Sequence, residues 1–258
     1  METAERLKSK EDEIVIALAG NPNAGKTSVF NEITGARQHV GNWPGVTVEK
    51  KEGYLTYKGA RIRVVDLPGT YSLGAYSEDE AVARDYILFE KPDVVINIID
   101  ATNLERNLYL TTQLLEMGAN VVIALNMYDE LKAKQIDVDT SKLSELLGVP
   151  VIPTVATHSQ GMKELLTRAL QAAKAKERKP LKINYGKEIE AELAGIEQEI
   201  LSNLRLVETF DPRWLAVKVL EGDEGVIEGL EKYPGLNKLL ARRDEALKRL
   251  EGIWGGRR

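Results

Sequence analysis

The chain has 258 residues, 43% hydrophobic and 29% charged, an ordinary globular composition with room for one large domain or for a domain of roughly 170 residues and a smaller one. A formal net charge of -5 argues against a general nucleic-acid-binding surface, and the absence of cysteine excludes disulfides, thiol catalysis and cysteine-held zinc while fitting a reducing intracellular setting. The apolar runs at 14–19, 94–99 and 121–125 are strand-sized, well under the ~18 residues of a membrane span, so the chain is expected to be soluble.

Residues 1–12 are charged and lack an apolar core, and read as a lead-in rather than a secretory signal. Up to about Lys176, short β-rich apolar runs alternate with helical patterns, as in a mostly parallel sheet covered by helices on both faces. Strands are expected at 13–19, 48–57, 61–66, 93–99, 121–126 and 150–154, and helices at about 25–34, 78–89, 104–117, 139–147 and 161–175. Only Lys58 and Gly59 separate the second strand from the third, which predicts an antiparallel hairpin at one edge of the sheet. The charge-dense stretch 174–182, with Pro180, reads as a linker. Beyond it, Ile189, Leu193, Ile196, Ile200 and Leu204 recur at helical spacing, and Leu236, Leu240, Leu247, Leu250 and Trp254 form a looser stripe. The fold class expected is α/β, a mostly parallel doubly wound sheet of the Ras-like P-loop GTPase type, followed by a small all-α domain.

Gly20-Asn21-Pro22-Asn23-Ala24-Gly25-Lys26-Thr27 fits the phosphate-loop pattern G-x-x-x-x-G-K-[ST], follows a strand and leads through Ser28 into a helix. Its backbone N–H groups would face phosphate oxygens at the positive end of the helix dipole. Lys26 would reach the β- and γ-phosphates, and the Thr27 hydroxyl is a hard oxygen ligand suited to Mg²⁺. Asp66-Leu67-Pro68-Gly69 then supplies D-x-x-G at a strand end, with Asp66 directed at Mg²⁺ and the Gly69 N–H at the γ-phosphate. Asn126-Met127-Tyr128-Asp129 matches N-x-x-D at the C-terminal edge of the sheet. A carboxylate at Asp129 accepts from N1–H and N2–H₂ of guanine, a donor pair that adenine lacks, so the motif selects GTP over ATP. Met127 stands where the usual motif has Lys, keeping the packing and losing the charge. Val155-Ala156-Thr157 is the weakest match, to a fifth signature in which the N–H of Ala156 meets guanine O6. Thr47, in the Gly- and Pro-containing segment 35–47, suits a mobile switch that completes the Mg²⁺ shell when a γ-phosphate is present.

Three segments carry a narrower resemblance: Gly20 through Ser28, Val40-Gly41-Asn42-Trp43-Pro44-Gly45-Val46-Thr47, and Asp66 through Leu73. All three are similar to the FeoB family of prokaryotic ferrous-iron transporters, and Pro212 through Asp223 resembles the helical spacer of that family. The resemblance implies a G domain at 1–178 and a helical, GDI-like spacer at 183–258. It also implies GTP/GDP and Mg²⁺ as ligands and GTP hydrolysis as the activity. The implied partner is a membrane-embedded Fe²⁺ permease portion absent from this chain, with the chain itself on the cytoplasmic side of the inner membrane; self-association is a further partner class, and nucleic acid is not. Thr70 follows Gly69 where Ras-like proteins carry a water-orienting Gln, so intrinsic turnover should be slow. In such relatives an Asn at the position of Asn23 is associated with K⁺, which implies a cation site completed by carbonyls of 41–43; turn geometry alone is the competing reason for Asn there. The residues tied to catalysis are then Lys26, Thr47, Asn23 and Gly69.

His39 and His158 are isolated loop residues by this reading, and Glu78, Asp79 and Glu80 form an acidic first helical turn behind a Ser77 cap. Trp43 and Tyr71 have two open roles, contact with a partner or cover for the nucleotide. Two functional alternatives stay in view: a non-enzymatic GTP/GDP sensor, and a GTPase of ribosome or tRNA maturation, which should add a basic module.

Overall fold

The computed structural model describes residues 13–35, 37–74, 77–175 and 183–254, so the lead-in and most of the expected linker lie outside the described residues. The contacts divide the chain into two compact units, 1–73 with 77–181 and 74–76 with 182–258.

The first unit runs β1 (Glu13–Gly20), α1 (Lys26–Thr34), β2 (Gln38–Asn42), β3 (Glu49–Tyr57), β4 (Ala60–Asp66), α2 (Glu78–Asp85), a π-helical turn (Tyr86–Glu90), β5 (Val94–Asp100), α3 (Leu104–Glu116), β6 (Val121–Asn126), α4 (Tyr128–Ala133), α5 (Thr140–Leu147), β7 (Val151–Pro153) and α6 (Met162–Lys174). Its seven strands lie in the order β2-β3-β4-β1-β5-β6-β7. β1 is parallel to β4 and β5, and β5, β6 and β7 are mutually parallel neighbours, whereas β2 to β3 and β3 to β4 are antiparallel. β1, β5 and β6 read as nearly unbroken apolar runs because helices cover both faces of the sheet. Ile16, Leu18, Phe30, Ile96, Ile98 and Leu165 are among the side chains that fill the core. This arrangement brings the C-terminal ends of β1, β4, β6 and β7 to one edge of the sheet.

In this unit sequence and structure differ at four places. The segment 35–47, expected to be irregular, contains β2, every residue of which is exposed. Backbone pairing to β3 makes it a strand, and no apolar alternation announces it. The predicted hairpin is present, but β2 and not the hairpin occupies the sheet edge. The expected helix 78–89 becomes α-helical only to Asp85 and continues as the π turn, which ends at Lys91 in a left-handed conformation. α4 is an unforeseen helix of six residues, too short for a periodic signal.

The second unit is helical: α7 (Lys187–Leu201), α8 (Leu204–Thr209), α9 (Pro212–Glu221), α10 (Glu224–Leu230) and α11 (Leu236–Trp254). Leu193, Ile196 and Ile200 of the first stripe are buried on α7, but Leu204 begins α8 and is 76% exposed. In α11 the buried register is Leu239, Ala246 and Leu250, one position off the stripe at its N-terminal half, and Leu247 is exposed. α9 is buried from Trp214 through Val219, starting at Pro212 behind an Asp211 cap that accepts from the Trp214 N–H at 2.9 Å. Six consecutive buried positions, Lys218 among them, leave no one-sided apolar stripe, which is why periodicity does not reveal the helix. Arg213 ties it to α7 through Glu190 at 2.6 Å and Glu197 at 3.1 Å.

Candidate nucleotide-binding site

The loop between β1 and α1 is shaped by what its glycines exclude. A Cβ on Gly20 would lie 2.6 Å from the Ile98 carbonyl oxygen, and one on Gly25, whose φ is 90°, would collide with the Asn126 amide. Gly25 stands at the N-terminus of α1 with no side-chain cap, so the first N–H groups of that helix are left for an anion. The Ala24 N–H donates to the Asn21 carbonyl at 3.1 Å, closing the turn, while Asn23 sits at φ 66° with its side chain exposed. That left-handed position is one Asn tolerates well, so turn geometry accounts for the residue type and leaves its amide open to solvent. Asn21 is the reverse case: it is 3% exposed, and neither side-chain atom has a hydrogen-bond partner among the described residues.

Lys26 opens α1, and its Nζ meets Asp66 Oδ1, at the end of β4, at 2.5 Å. Burial pushes the Asp66 carboxyl above its ordinary value, and the Lys26 charge and hydrogen bond only partly reverse this. Thr27 beside them is exposed. A hydroxyl and a carboxylate in a cradle that no Cβ fills are a donor set of hard oxygens, which fits Mg²⁺ with a phosphate ligand. Leu67 N–H donates to the Leu18 carbonyl at 3.0 Å and Thr70 N–H to the Gly20 carbonyl at 3.3 Å, so 66–70 is laced to the end of β1 and the start of the phosphate loop. Gly69 lies against Pro22. The Thr70 side chain is buried.

Asn126 ends β6, and its side chain is the hub of the site. Its Nδ2 donates to the Ala24 carbonyl at 3.0 Å, and its Oδ1 accepts from the Ala156 N–H at 3.1 Å and the Thr154 hydroxyl at 3.3 Å. Met127 adopts φ 58° and stands just before α4, with its terminal methyl beside Gly25 of the phosphate loop. Asp129 is exposed in the first turn of α4, open to a ligand, and Tyr128 N–H fixes that turn to the Thr154 carbonyl at 3.2 Å. Val155 and Ala156 are buried and lead into a short 3₁₀ turn.

The structure therefore gathers Gly20, Asn21, Asn23, Ala24, Gly25, Lys26, Thr27, Ser28, Asp66, Gly69, Asn126, Met127, Asp129, Val155 and Ala156 around the strand ends. Thr47 is exposed, in the turn between β2 and β3, and no hydrogen bond joins its side chain to the cluster among the described residues. Glu78, Asp79 and Glu80 begin α2 behind Ser77, which accepts from the Glu80 N–H at 3.2 Å; no group of three metal-ligating side chains occurs among the described residues. Sequence reasoning missed Thr154 and Gln113. Gln113, buried on α3, accepts from the Leu73 N–H at 2.7 Å and so holds the segment that follows D-x-x-G. A polar residue at a core position of a helix was the available signal.

Fold and site together define a P-loop G domain followed by a helical domain. The family model described as ferrous iron transport protein B matches residues 14–169, and that of the FeoB cytosolic helical domain matches 185–256. The chain belongs to the FeoB family. It is 45% identical over 241 residues, 92% of its length, to an Fe(2+) transport protein A/Fe(2+) transporter FeoB fusion protein of Porphyromonas gingivalis, of which it covers 29%. It is 46% identical over 214 residues, 81% of its length, to the Fe(2+) transporter FeoB of Escherichia coli O157:H7, of which it covers 27%. The chain thus spans less than a third of these curated relatives. Among solved structures, the cytosolic domain of the T. maritima FeoB iron transporter in its GMPPNP form superposes with a TM-score of 0.79 at 39% identity, covering 93% of this chain and 98% of that one. A mutant of S. thermophilus NFeoB bound to GDP gives 0.84 at 40% identity, covering 94% and 90%.

Proposed function

We propose that the chain binds GTP, hydrolyses it to GDP and phosphate, and acts, on the cytoplasmic side of the inner membrane, as the nucleotide-controlled switch of a longer protein that passes Fe²⁺ across that membrane. The carrying observation is the Asn126 bridge, which fixes the phosphate loop at Ala24 and the base loop at Ala156 to one side chain. The GDP and GMPPNP forms of the T. maritima relative support the same ligand class. Relatives more than three times as long as the matched segment support a membrane-embedded partner portion. The ribosome or tRNA-maturation alternative falls with the family assignment.

In this reading the phosphate-loop N–H groups and Lys26 hold the phosphates, Asp129 and the Ala156 N–H read guanine, and Met127 packs beside the base. Lys26 exchanges its Asp66 partner for phosphate oxygens when nucleotide enters. Thr27, Thr47 and Asp66 are the residues that would hold Mg²⁺, and the ion would supply neutralisation of phosphate charge. The Gly69 N–H faces the γ-phosphate. Because Thr70 is buried and offers no water-orienting side chain, turnover without assistance is slow. Asn23, exposed in the loop, is the side chain that would hold K⁺, which would supply the missing positive charge.

The test is GTP hydrolysis in K⁺ and Na⁺ buffers, with Asn23→Ala and an ATP control. GTP-selective turnover that rises in K⁺ and loses that rise in the variant is expected. Equal rates in both salts would remove the K⁺ site, binding without turnover in either would leave a nucleotide sensor, and equal use of ATP would remove the role of Asp129.

A further inference from the structure

We propose that Tyr86 is a positioning residue for the first switch: it holds Trp43, and through it Thr47, in a withdrawn state that a nucleoside triphosphate must release. The inference rests on the GTP-switch reading above and adds to it a residue outside every nucleotide-binding signature.

Trp43 is 8% exposed, whereas Gly41, Asn42, Pro44, Gly45 and Thr47 around it are all exposed, so one side chain anchors the whole segment. Its ring meets Tyr86 edge to face, with centroids 5.3 Å apart at 71°, and Lys50 Nζ lies 4.9 Å from its centroid. These are the favoured geometries of aromatic and cation–π pairs. The Trp43 N–H donates to the Val48 carbonyl at 2.9 Å and the Trp43 carbonyl accepts from Val46 at 3.4 Å, closing a tight turn through Gly45 at φ 78° that carries Thr47. Thr47 cannot move far while Trp43 stays seated.

The seat is flawed in a way that suits a switch. Trp43 Nε1 and the Tyr86 hydroxyl are both shut off from water, and neither has a hydrogen-bond partner among the described residues. Unpaired buried polar groups oppose the packing that buries them, and both groups regain water when Trp43 leaves. A cavity of about 470 Å³ lined by Trp43, Val46, Lys50, Tyr86 and Phe89 gives the indole space to depart. Tyr86 is the first residue of the π turn, a helix irregularity common at functional positions. The edge-to-face contact and the unpaired groups thus work against each other, and two states of similar free energy are what a ligand with modest differential affinity can shift.

Tyr86→Phe keeps the ring and removes the unpaired hydroxyl, so it strengthens the seat. The expected result is an unchanged or higher Tm, an unchanged GDP affinity, and a roughly three- to tenfold loss of affinity for a non-hydrolysable GTP analogue with Mg²⁺. In a Trp214→Phe/Trp254→Phe background, the analogue should shift Trp43 fluorescence toward that of a solvated indole, and Tyr86→Phe should move the midpoint to higher analogue concentration. Thr47→Ala separates the two readings. If Thr47→Ala weakens the analogue relative to GDP and Tyr86→Phe does not, the Tyr86 inference is overturned and the switch stands. If Thr47→Ala leaves the ratio unchanged, the switch reading fails and this inference with it.

Discussion

Asn126 and Ala24 are 102 positions apart, and a 3.0 Å hydrogen bond from the Asn126 amide to the Ala24 carbonyl joins them. The other end of the same amide accepts from Ala156 and Thr154, so the side chain is spent on holding loops rather than on touching a base.

Asn126→Ala should therefore act on both phosphate and base sites at once. Three polar groups lose their buried partner, at about 1–3 kcal/mol for each that stays unsatisfied. The expected outcome is a lower Tm together with a loss of nucleotide affinity that is similar for GTP and GDP, read by calorimetric titration. A loss confined to one nucleotide would contradict the bracing role.

Gly25→Ala meets a different barrier, because φ 90° is strained for any residue with a Cβ and that atom would strike the Asn126 amide. Strain of ~1–2 kcal/mol alone corresponds to roughly tenfold in affinity, and the collision adds to it. Circular dichroism should show the fold retained while nucleotide binding falls by that factor or more.

Asp129→Ala should cost guanine-nucleotide affinity on the order of 1–3 kcal/mol, since the donors of the base lose their acceptor, and should leave weak ATP binding unchanged. Competition between GTP and ATP on the variant measures it. Retained preference for GTP would move base selection to the Ala156 loop.

The Asp66 carboxyl gives a pH signature in the nucleotide-free protein. Burial raises it above its ordinary value of 3.8, so the folded chain holds that proton more tightly than the unfolded chain. The resulting stability is fully present below 3.8 and is lost as the pH rises through the raised value. Asp66→Asn does not titrate, so its Tm relative to the parent should climb across that window and then level off. A flat difference across the window would show that Lys26 cancels the burial.

In the helical unit, Trp214 is 2% exposed and stacks on Phe210 with centroids 6.0 Å apart. Trp214→Ala should cost about 3–5 kcal/mol of that unit's stability. Denaturant unfolding followed by a helical signal should show its transition shifted well ahead of that of the G domain.

The candidate nucleotide site was legible as a cluster because its parts are local: each signature occupies a few consecutive residues at a strand end, and strands buried on both faces announce themselves as apolar runs. Met127 lies beside Gly25, where side-chain shape alone leads one to expect it against the phosphate loop. What escaped depends on partners distant in sequence. β2 exists through its ladder with β3, the π turn ends a helix whose sequence carries no break, and α9 is buried at six consecutive positions, Lys218 included, and therefore shows no stripe. Gln113 and Thr154 matter through single hydrogen bonds to loops that the sequence does not place beside them.

The position of β2 has a topological consequence. An interior strand has two neighbours, and withdrawing one would leave two open ladders and split the sheet. β2 has one neighbour, so the proposed switch segment is attached to a strand that can peel away while the other six stay zipped. Amide hydrogen exchange should accordingly be faster in β2 than in the interior strands β4, β1 and β5, and conformational change in the segment after β2 need not be transmitted as strain through β1, on which the phosphate loop is built.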